Sequence, residues 1–452
     1  MNRSLLSLVI IILFVSPISS AIKISNTGEE SEKFLSEKIT LNNSIFEIIN
    51  QVNESLLKNY LKGLIEIGPR YTGSDNCKKA ADYISDEFTK MDLDVKIEPW
   101  KYIRYKSENV VATLNGSDPN SDAVIVICAH YDTITYRGYK NFSVGANDDG
   151  SGIALMLAIA NICSKYQFNH TIKFLAVSGE EIGCYGSYDY AKKAYQRNEN
   201  IITAIAVDTI GYASTSLNGR YVQMLMPKRS DWLFNTAVNI SNKYNDYFHI
   251  SPVYGPHCCA DDESFMKYGY DNCYIGNFAE YPYVHTPDDS FDKINFSYLV
   301  NATKFVFSLI TYLADKPIYL QVRIIRPDEG SFYIFDKKLF NLPGFNTWRL
   351  HIRGLTFIIG SATVEINITS NEEILNVVYS IDNNLIPFNN KEPPYEMKIQ
   401  GFYWRLTGRR TLGVYVTTVT GKTAYDEMDI FIVLPNLNLW KIFPQRERWF
   451  NN

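Results

Sequence analysis

Histidine and acidic side chains gather where the apolar segments end in the first two thirds of the chain. Those that directly follow an apolar run are His130 with Asp132, Glu180 with Glu181, and Asp208. Asp148 and Asp149 lie in a loop rich in glycine and asparagine, and His285 lies in a loop after a shorter apolar run. Imidazole and carboxylate groups are common ligands of divalent metals, so these residues indicate metal binding.

The number of these side chains indicates how many metals the site holds. Histidine and carboxylate ligands without cysteine suit zinc, with manganese or cobalt as substitutes. One catalytic zinc uses three protein ligands and a water, whereas five ligands suffice for two metals that share a carboxylate. Such paired ions stand about 3.5–4 Å apart and hold a hydroxide between them. We therefore expect two zinc ions.

The adjacent glutamates fit a division of roles. Neighbouring side chains do not point the same way unless the backbone bends, so one can ligate while the other faces the bound water. A free carboxylate there can take a proton from the water and pass it to a leaving amine. Spacing alone leaves open which role belongs to Glu180 and which to Glu181.

The surrounding segments predict how these residues meet. Across residues 53–315, strand-like runs alternate with helical patterns, which is typical of an α/β domain with a mixed, mainly parallel sheet flanked by helices. The predicted central strands are 123–129, 172–177, 202–207 and 273–275. The predicted helices are one around 81–91, one from about Ser151, and one over 297–313. Side chains after parallel strands converge at one sheet edge, where open α/β sheets form their crevice.

After Lys316 the pattern changes to strict alternation of apolar and polar residues. The alternating apolar positions are Ala362, Val364, Ile366 and Ile368, then Leu412, Val414 and Val416, then Met428, Ile430 and Ile432. Turn residues at 382–384, 393–394 and 420–422 separate these runs, so we predict an antiparallel β-sandwich. The predicted segments are a signal peptide (1–21), the α/β domain (22–316), the sandwich (317–436) and a tail (437–452).

Composition excludes some partners. The chain has 452 residues, of which 46% are hydrophobic and 21% charged, as in globular proteins. Its net charge of −5 and lack of a basic run argue against nucleic-acid binding. No segment after the first 21 residues is apolar enough to predict a transmembrane span.

The amino terminus predicts export. Arg3 precedes an apolar run over residues 5–15, followed by Pro17 and small residues, the layout of a secretory signal peptide; an uncleaved anchor is the alternative. Sequons for N-glycosylation point the same way, at Asn42, Asn53, Asn115, Asn141, Asn169, Asn239, Asn295, Asn301 and Asn367. We therefore expect a secreted or cell-surface glycoprotein.

The seven cysteines do not form a disulfide framework. Cys128 and Cys163 lie in apolar runs and are expected to be buried thiols. The candidates for a single bridge are Cys184, Cys258, Cys259 and Cys273. An odd total leaves at least one thiol unpaired.

Five segments, in order, resemble the motifs of the co-catalytic zinc aminopeptidase family, which includes bacterial secreted leucyl aminopeptidases, yeast vacuolar aminopeptidase and glutamate carboxypeptidases. They are AHYDT (129–133), GANDDGSG (145–152), SGEEIG (178–183), VDTIG (207–211) and HTPDD (285–289). The resemblance covers residues 53–313, about the whole predicted α/β domain.

This resemblance implies a role for each residue. Asp148 would bridge the metals, with His130 and Asp208 on one ion and Glu181 and His285 on the other. Two further implications concern neighbouring residues: Glu180 would be the general base, and Asp132 would support His130 at the catalytic site. The bond between Asp148 and Asp149 would be cis. The implied activity is removal of N-terminal amino acids from peptides.

Some features depart from the family or stay open. The stretch 260–265 (ADDESF) differs from many relatives, which leaves the surroundings of the site undecided. His257 is the nearest match to a tyrosine that steadies the reaction intermediate in some relatives, and a plain surface histidine is the alternative. His170, His249 and His351 are interpreted as structural. The sandwich resembles bacterial immunoglobulin-like modules, and its role is expected to be spacing, cell-surface attachment or substrate docking.

Three other functions compete with the aminopeptidase. Carboxypeptidase or dipeptidase action depends on whether the site captures a carboxylate or an amine. Glutaminyl cyclases share the fold with fewer metal ligands, and all five ligands are present here. A non-catalytic surface protein would be expected to have lost a ligand or Glu180, and none is lost.

Overall fold

The structure is a computed structural model that describes residues 48–137, 142–256, 260–315, 320–342, 355–386, 393–399 and 407–433. The described residues from Ile48 onward belong to one compact unit. The predicted signal peptide, the predicted domain boundary near Pro317 and the predicted tail all lie outside the described residues.

The first part of the described chain alternates strands and helices. The strands are β1 (Asp94–Tyr102), β2 (Tyr105–Leu114), β3 (Val124–His130), β4 (Thr171–Val177), β5 (Ile201–Val207), β6 (Tyr221–Met226), β7 (Ser251–Pro256) and β8 (Asn272–Asn277). The helices are α1 (Glu54–Ile65), α2 (Asp75–Lys90), α3 (Gly150–Cys163), α4 (Tyr185–Gln196), α5 (Asp231–Phe248), α6 (Asp261–Lys267) and α7 (Phe296–Asp315). Every predicted central strand and helix is present. Within the described part of the chain, none of the helices combines the length and apolarity that a membrane span requires.

The eight strands form one mixed sheet in the order β1-β2-β4-β3-β5-β8-β6-β7. The central neighbours β4, β3, β5 and β8 run parallel. Antiparallel pairs flank them, between β1 and β2, β2 and β4, and β6 and β8. The predicted fold class is therefore confirmed, and four carboxyl ends of parallel strands meet at one edge of the sheet.

Burial explains why the central segments are apolar on all sides. Every residue of β3 and β5 is buried, as expected for strands covered on both faces. Helix α3 is buried at every position except Asn161 and packs against α1, α7 and β3. Its first turn is fixed by Asp149, whose side chain accepts the backbone N–H of Gly152 at 2.9 Å. The helix therefore begins directly after the predicted ligand Asp148.

The second part of the described chain is all β. Its strands are β9 (Leu320–Arg326), β10 (Ser331–Ile334), β11 (Lys337–Asn341), β12 (Thr356–Ile359), β13 (Ala362–Ser370), β14 (Ile374–Ile381), β15 (Asn384–Ile386), β16 (Glu396–Ile399), β17 (Gly408–Thr418) and β18 (Thr423–Val433). They form a seven-stranded sheet, β11-β10-β12-β18-β17-β14-β15, and a three-stranded sheet, β16-β13-β9. Alternate residues of both sheets share one core, including Val364, Val414 and Ile430, so the sheets pack as a sandwich.

The sequence analysis predicted an antiparallel sandwich, but one strand of the described sandwich has parallel neighbours. Strand β12 runs parallel to both β10 and β18. Parallel neighbours are not joined by a tight hairpin turn, and in the sequence 21 residues separate β10 from β12 and 63 separate β12 from β18. The predicted turn at 382–384 is confirmed, since Asp382 and Asn383 have φ of +50° and +62° between the paired strands β14 and β15. The immunoglobulin-like assignment stays a prediction.

Buried charges join the sandwich to the α/β part. The Arg229 guanidinium lies 2.8 Å from the Asp426 carboxylate of β18 and 3.4 Å from Asp271, and its side chain is 2% exposed. The second oxygen of Asp426 accepts the backbone N–H of Ile324 in β9 at 2.8 Å. Arg323 of β9 lies over the ring of Tyr270, 4.8 Å from its centre. The two parts thus share a polar, ordered interface.

Candidate metal centre

The structure brings the five predicted metal ligands together at the carboxyl edge of the parallel strands. His130 is the last residue of β3, and Asp208 directly follows β5. Asp148 lies just before α3, Glu181 follows β4, and His285 follows β8. These residues are far apart in sequence, and the order of the central strands is what places them side by side.

The five side chains form two groups that share one residue. His130, Asp148 and Asp208 make the first group, and Asp148, Glu181 and His285 make the second, with ligand atoms in each group within 4.8 Å of one another. One oxygen of Asp148 lies 3.2 Å from Nε2 of His130, and its other oxygen lies 3.1 Å from Nε2 of His285. Asp148 therefore presents one oxygen to each group.

Several of these atoms point into the site without a hydrogen bond. Among the described residues, Nε2 of His130, Oε1 of Glu181 and Oδ1 of Asp208 are buried and have no partner of hydrogen-bond geometry. Such buried polar atoms are costly unless something else satisfies them. Their imidazole and carboxylate chemistry suits zinc, so the residues present fit a metal of this kind.

The ionisation of these groups reflects crowded negative charge. Burial raises the pKa of Glu181 to about 8, with a further rise from Asp148. Burial alone would lower the pKa of His285, but hydrogen bonds to Asp148 and Glu181 raise it to about 11. Burial opposes ionisation of Asp148, yet the nearby imidazoles of His130 and His285 hold its pKa below the ordinary value. The two imidazoles therefore offset part of the negative charge of the carboxylates.

The two adjacent glutamates point apart. The carboxylate of Glu181 lies 2.7 Å from Nε2 of His285, whereas Glu180 is in neither ligand group. Gly179, with φ of +82°, lets the chain turn sharply before them. The carboxylate of Glu180 lies 3.6 Å from Sγ of Cys184, and burial raises the pKa of Glu180 well above its ordinary value.

Asp132 links the first histidine to Glu180. Its backbone carbonyl lies 3.1 Å from Nδ1 of His130, closer than its carboxylate at 3.6 Å. The contact that fixes the imidazole is therefore to the main chain rather than to the side chain. The carboxylate of Asp132 accepts hydrogen bonds from Oγ1 of Thr72 at 2.6 Å and from the backbone N–H of Glu180 at 3.3 Å.

Asp149 ties two strand ends and the start of α3 together beside the ligands. Besides capping α3, its carboxylate accepts the backbone N–H groups of His130 and Thr209, both at 3.2 Å. The peptide bond between Asp148 and Asp149 is cis, as the family resemblance implied. Asp149 therefore fixes the backbone around both Asp148 and His130.

Two residues that support the ligand loop were missed by the sequence analysis. The Asp289 carboxylate accepts the backbone N–H groups of Asn147 at 2.8 Å and Asp148 at 3.1 Å, and the hydroxyl of Tyr281 at 2.6 Å. Asp289 belongs to the HTPDD segment, so its position in a motif was a signal. Arg70 lies outside every motif that the sequence analysis identified.

The buried Arg70 side chain joins two loops of the site. Its guanidinium donates to the backbone carbonyls of Tyr131 at 2.6 Å, Val144 at 2.6 Å and Gly145 at 3.1 Å. These carbonyls belong to the segments that follow His130 and precede Asp148. Arg70 is fully buried, and all three of its side-chain nitrogens donate to these two loops.

The divergent stretch 260–265 also reaches the surroundings of the site. Asp261 at the start of α6 is buried and accepts a 2.5 Å hydrogen bond from Oγ of Ser187. Burial raises the pKa of Asp261 to about 7. Its carboxylate is held by a serine of α4, so the stretch has a defined supporting contact. His257 lies outside the described residues.

The other histidines lie away from the ligand groups or outside the described residues. Nδ1 of the buried His170 is 2.6 Å from Oγ of Ser121. His249 ends α5 with φ of +52°. Neither His170 nor His249 belongs to a ligand group among the described residues. His351 lies outside the described residues.

The cysteine predictions are partly wrong. Cys128 and Cys163 are buried free thiols, as predicted. Cys184 and Cys273 are also free, so neither takes part in the predicted bridge. Cys273 is buried within β8, and Cys184 faces Glu180. The two other candidates, Cys258 and Cys259, lie outside the described residues.

Comparison with known proteins agrees with the fold and the site. Residues 109–310 match the model of peptidase family M28. A protein of Arthroderma otae named probable leucine aminopeptidase is 25% identical over 285 residues, which cover 60% of this chain and 75% of that protein. The segment that matches the family model, residues 109–310, contains all five predicted ligands.

Solved structures share the fold. LapB from Legionella pneumophila matches with a TM-score of 0.54 and 22% identity, over 60% of this chain and 75% of LapB. An aminopeptidase from Aneurinibacillus sp. strain AM-1 matches with a TM-score of 0.52 and 18% identity, over 61% of this chain and 97% of that protein. The likeness to these structures shows the fold of the α/β part. Over residues 109–310 the chain is therefore similar to peptidase family M28, in line with the resemblance of its motifs to the co-catalytic zinc peptidases.

Proposed function

We propose that this chain is an aminopeptidase with two zinc ions, which removes N-terminal amino acids from peptides. His130 and Asp208 would hold one ion, Glu181 and His285 the other, and Asp148 both. The observation that carries the proposal is the position of the Asp148 carboxylate, whose two oxygens lie 3.2 and 3.1 Å from the two histidines. A shared carboxylate is what a paired metal site needs.

The protein groups of this site have distinct tasks. Zinc ions bound there supply Lewis-acid polarisation of the peptide carbonyl and activation of water. Glu180, outside both ligand groups, takes the proton of the attacking water and delivers it to the leaving amine. The C–N bond breaks as the water oxygen bonds to the carbonyl carbon. Asp132 holds the backbone of Glu180 and the ring of His130 in place.

Among the described residues, the positive groups nearest the site are already engaged and leave no cation for a substrate carboxylate. The positive groups that act most strongly on Asp148, Glu181 and Asp208 are the imidazoles of His130 and His285. The nearby Arg70 donates its hydrogen bonds to backbone carbonyls. The imidazoles are proposed metal ligands and Arg70 is used by the fold, so neither is free to bind a substrate carboxylate, which supports the aminopeptidase over a carboxypeptidase.

Zinc content and blocked substrates test this function. Purified protein should carry about two zinc ions and cleave substrates with a free N-terminal amine. Their N-acetylated counterparts should resist cleavage, because the charged amine is lost. Equal cleavage of free and acetylated substrates would contradict the aminopeptidase, and preference for a free C-terminal carboxylate would favour the carboxypeptidase.

We also propose that the protein is a secreted glycoprotein, with the sandwich as a candidate for cell-surface attachment. The described sequon asparagines are at the surface: Asn53, Asn115, Asn169, Asn239, Asn295 and Asn367 are exposed, and Asn301 is half-buried. Expression of the full chain, fractionation into medium, cell surface and cell interior, and glycosidase treatment test this. Retention inside the cell without a glycosidase-sensitive mass would contradict secretion.

A further inference from the structure

Exposed and partly exposed aromatic residues form a cluster near the turn that carries Glu180, which we name the aromatic shelf. It consists of Tyr71, Tyr102, Tyr105 and Tyr185, with Ile103 and Arg104 at the tip of the hairpin between β1 and β2. The rings of Tyr102 and Tyr185 are stacked with centres 4.2 Å apart, and those of Tyr105 and Tyr185 are 6.1 Å apart. The side chains of Tyr71 and Tyr105 meet through their hydroxyl groups.

One end of the shelf is attached to the turn that carries Glu180. The backbone N–H of Tyr185 donates to the carbonyl of Gly179 at 3.0 Å. The residue before it, Cys184, places Sγ 3.6 Å from the Glu180 carboxylate. Trp100 of β1 packs on Gly179 from below, where a Cβ atom would stand 2.7 Å from its ring. Tyr185 therefore lies directly beside the turn of Glu180.

The other end of the shelf reaches the same residue through Asp132. Tyr71 is followed by Thr72, whose hydroxyl donates to the Asp132 carboxylate at 2.6 Å. That carboxylate also accepts the backbone N–H of Glu180 at 3.3 Å. The Tyr71 side chain is 45% exposed, so an exposed ring belongs to the segment that Asp132 links to the backbone of Glu180.

The two residues at the hairpin tip are of types that this kind of turn does not favour. A two-residue hairpin turn favours asparagine and glycine, but here Ile103 and Arg104 occupy it between the paired Tyr102 and Tyr105. Ile103 has φ of +52°, a conformation that a β-branched residue rarely adopts. Its side chain is also 78% exposed. Neither strain nor exposure of an isoleucine stabilises the fold, which points to a binding role.

Arg104 adds a positive charge to the tip. Its guanidinium lies over the ring of Tyr105, 5.0 Å from the centre, and donates to the hydroxyl of that tyrosine at 2.8 Å. No carboxylate of the described residues forms an ion pair with it. The tip therefore offers an apolar side chain and an unneutralised cation next to each other, in a chain whose net charge is −5.

The position of the shelf identifies the part of the substrate that would meet it. In the proposed function, Glu180 delivers its proton to the leaving amine, so the residues after the scissile bond lie on the side of Glu180. We propose that the aromatic shelf binds this leaving half of a peptide. An apolar side chain would pack on Ile103 and Tyr71, and an acidic side chain further along would pair with Arg104. This proposal rests on the aminopeptidase function.

Two substrates that share an N-terminal leucine test the proposal. One is leucine 4-nitroanilide, whose leaving group holds no peptide, and the other is a hexapeptide with phenylalanine and glutamate after the scissile bond. In Ile103→Asn, which suits the turn but lacks the apolar side chain, kcat/KM for the hexapeptide should fall about tenfold relative to the anilide. The loss should be in KM, because the shelf binds ground state and transition state alike.

A charge reversal and a distant control complete the test. Arg104→Glu should lower the ratio for this hexapeptide and raise it for one with lysine in place of glutamate. Ile325→Asn removes another exposed isoleucine, 50% exposed and located on the sandwich, and should leave the ratio unchanged. If wild-type protein cleaves both substrates and neither shelf variant alters the ratio, the shelf proposal is wrong although the aminopeptidase stands. If the wild type cleaves neither, the proposed function itself fails.

Discussion

The carboxylate of Asp289 accepts the backbone N–H of Asp148 at 3.1 Å, across 141 residues of sequence. A second bond, from the backbone N–H of Asn147 at 2.8 Å, fixes the same loop. Asp289 is fully buried and belongs to neither ligand group. It therefore acts on the metal centre only through the orientation of Asp148, the residue that both ligand groups share.

Substitution of Asp289 should weaken zinc binding. In Asp289→Asn one of the two loop N–H groups meets an amide N–H instead of an acceptor, so the loop loses a bond whichever way the amide turns. We expect the zinc dissociation constant to rise about 10- to 100-fold, measured by competition with a chelator. Tyr281→Phe removes only the third, side-chain bond and should change zinc affinity far less. Equal zinc affinity in wild type and Asp289→Asn would show that Asp289 does not orient Asp148 for zinc binding.

The two adjacent glutamates should respond differently to the same change. Glu180→Gln should keep its zinc and lose turnover by about 10²–10⁴-fold, because a neutral amide cannot carry the proton. Glu181→Gln should lose zinc, since Glu181 lies in the second ligand group. Zinc content and kcat on leucine 4-nitroanilide check both. Unchanged turnover in Glu180→Gln would remove its role as base.

The metal-free protein should become less stable as pH rises from about 4.5 to 8. Burial and Asp148 raise the folded-state pKa of Glu181 from 4.5 to about 8, so its stabilising contribution is complete below 4.5 and is lost as pH approaches 8. His285, whose folded-state pKa is raised from 6.5 to about 11, adds to the same loss above pH 6.5, because it stays protonated in the folded protein while the unfolded chain loses its proton. The pKa of Asp148 is lowered, so its contribution changes only at more acid pH.

Thermal unfolding with chelator or with zinc, at pH 5 and at pH 8, measures this effect. In chelator, the midpoint temperature of unfolding should be lower at pH 8 than at pH 5. It should fall less, or rise, with zinc, because metal binding favours deprotonated ligands. An equal fall under both conditions would mean that the ligand cluster is not the source of the pH dependence.

The interface between the α/β part and the sandwich should depend on Arg229. Arg229→Met removes the guanidinium closest to the buried carboxylates of Asp271 and Asp426 and leaves Arg323 as the nearby cation, which should lower the free energy of unfolding by about 3–5 kcal/mol. The exposed pair of Arg409 and Asp429 is a matched control, and Arg409→Met should cost less than about 1 kcal/mol. Urea unfolding compares the two variants. Equal losses would show that burial of the Arg229 pair adds nothing.

The sequence was sufficient for the fold class and for the convergence of the ligands. Segments such as 124–130 and 201–207 are apolar on both faces, which only central strands require. Polar residues after such strands have one place to go, the carboxyl edge of the sheet. That reasoning brought His130, Asp208 and His285 to one site without any knowledge of side-chain positions.

Other features depend on contacts that no local pattern announces. Arg70 binds backbone carbonyls 61 to 75 residues away, and backbone carbonyls leave no mark in a sequence. The parallel pairing of β12 depends on which strand lies beside it, not on its own alternation. The turn at Ile103 contradicts turn preferences, so sequence rules could only miss it.

Anomalous diffraction at the zinc absorption edge, from crystals of zinc-loaded protein, tests the paired site most directly. We predict two peaks about 3.5–4 Å apart, one beside His130 and Asp208 and one beside Glu181 and His285, with Asp148 between them. A single peak, or a second peak away from these five residues, would contradict the two-zinc centre.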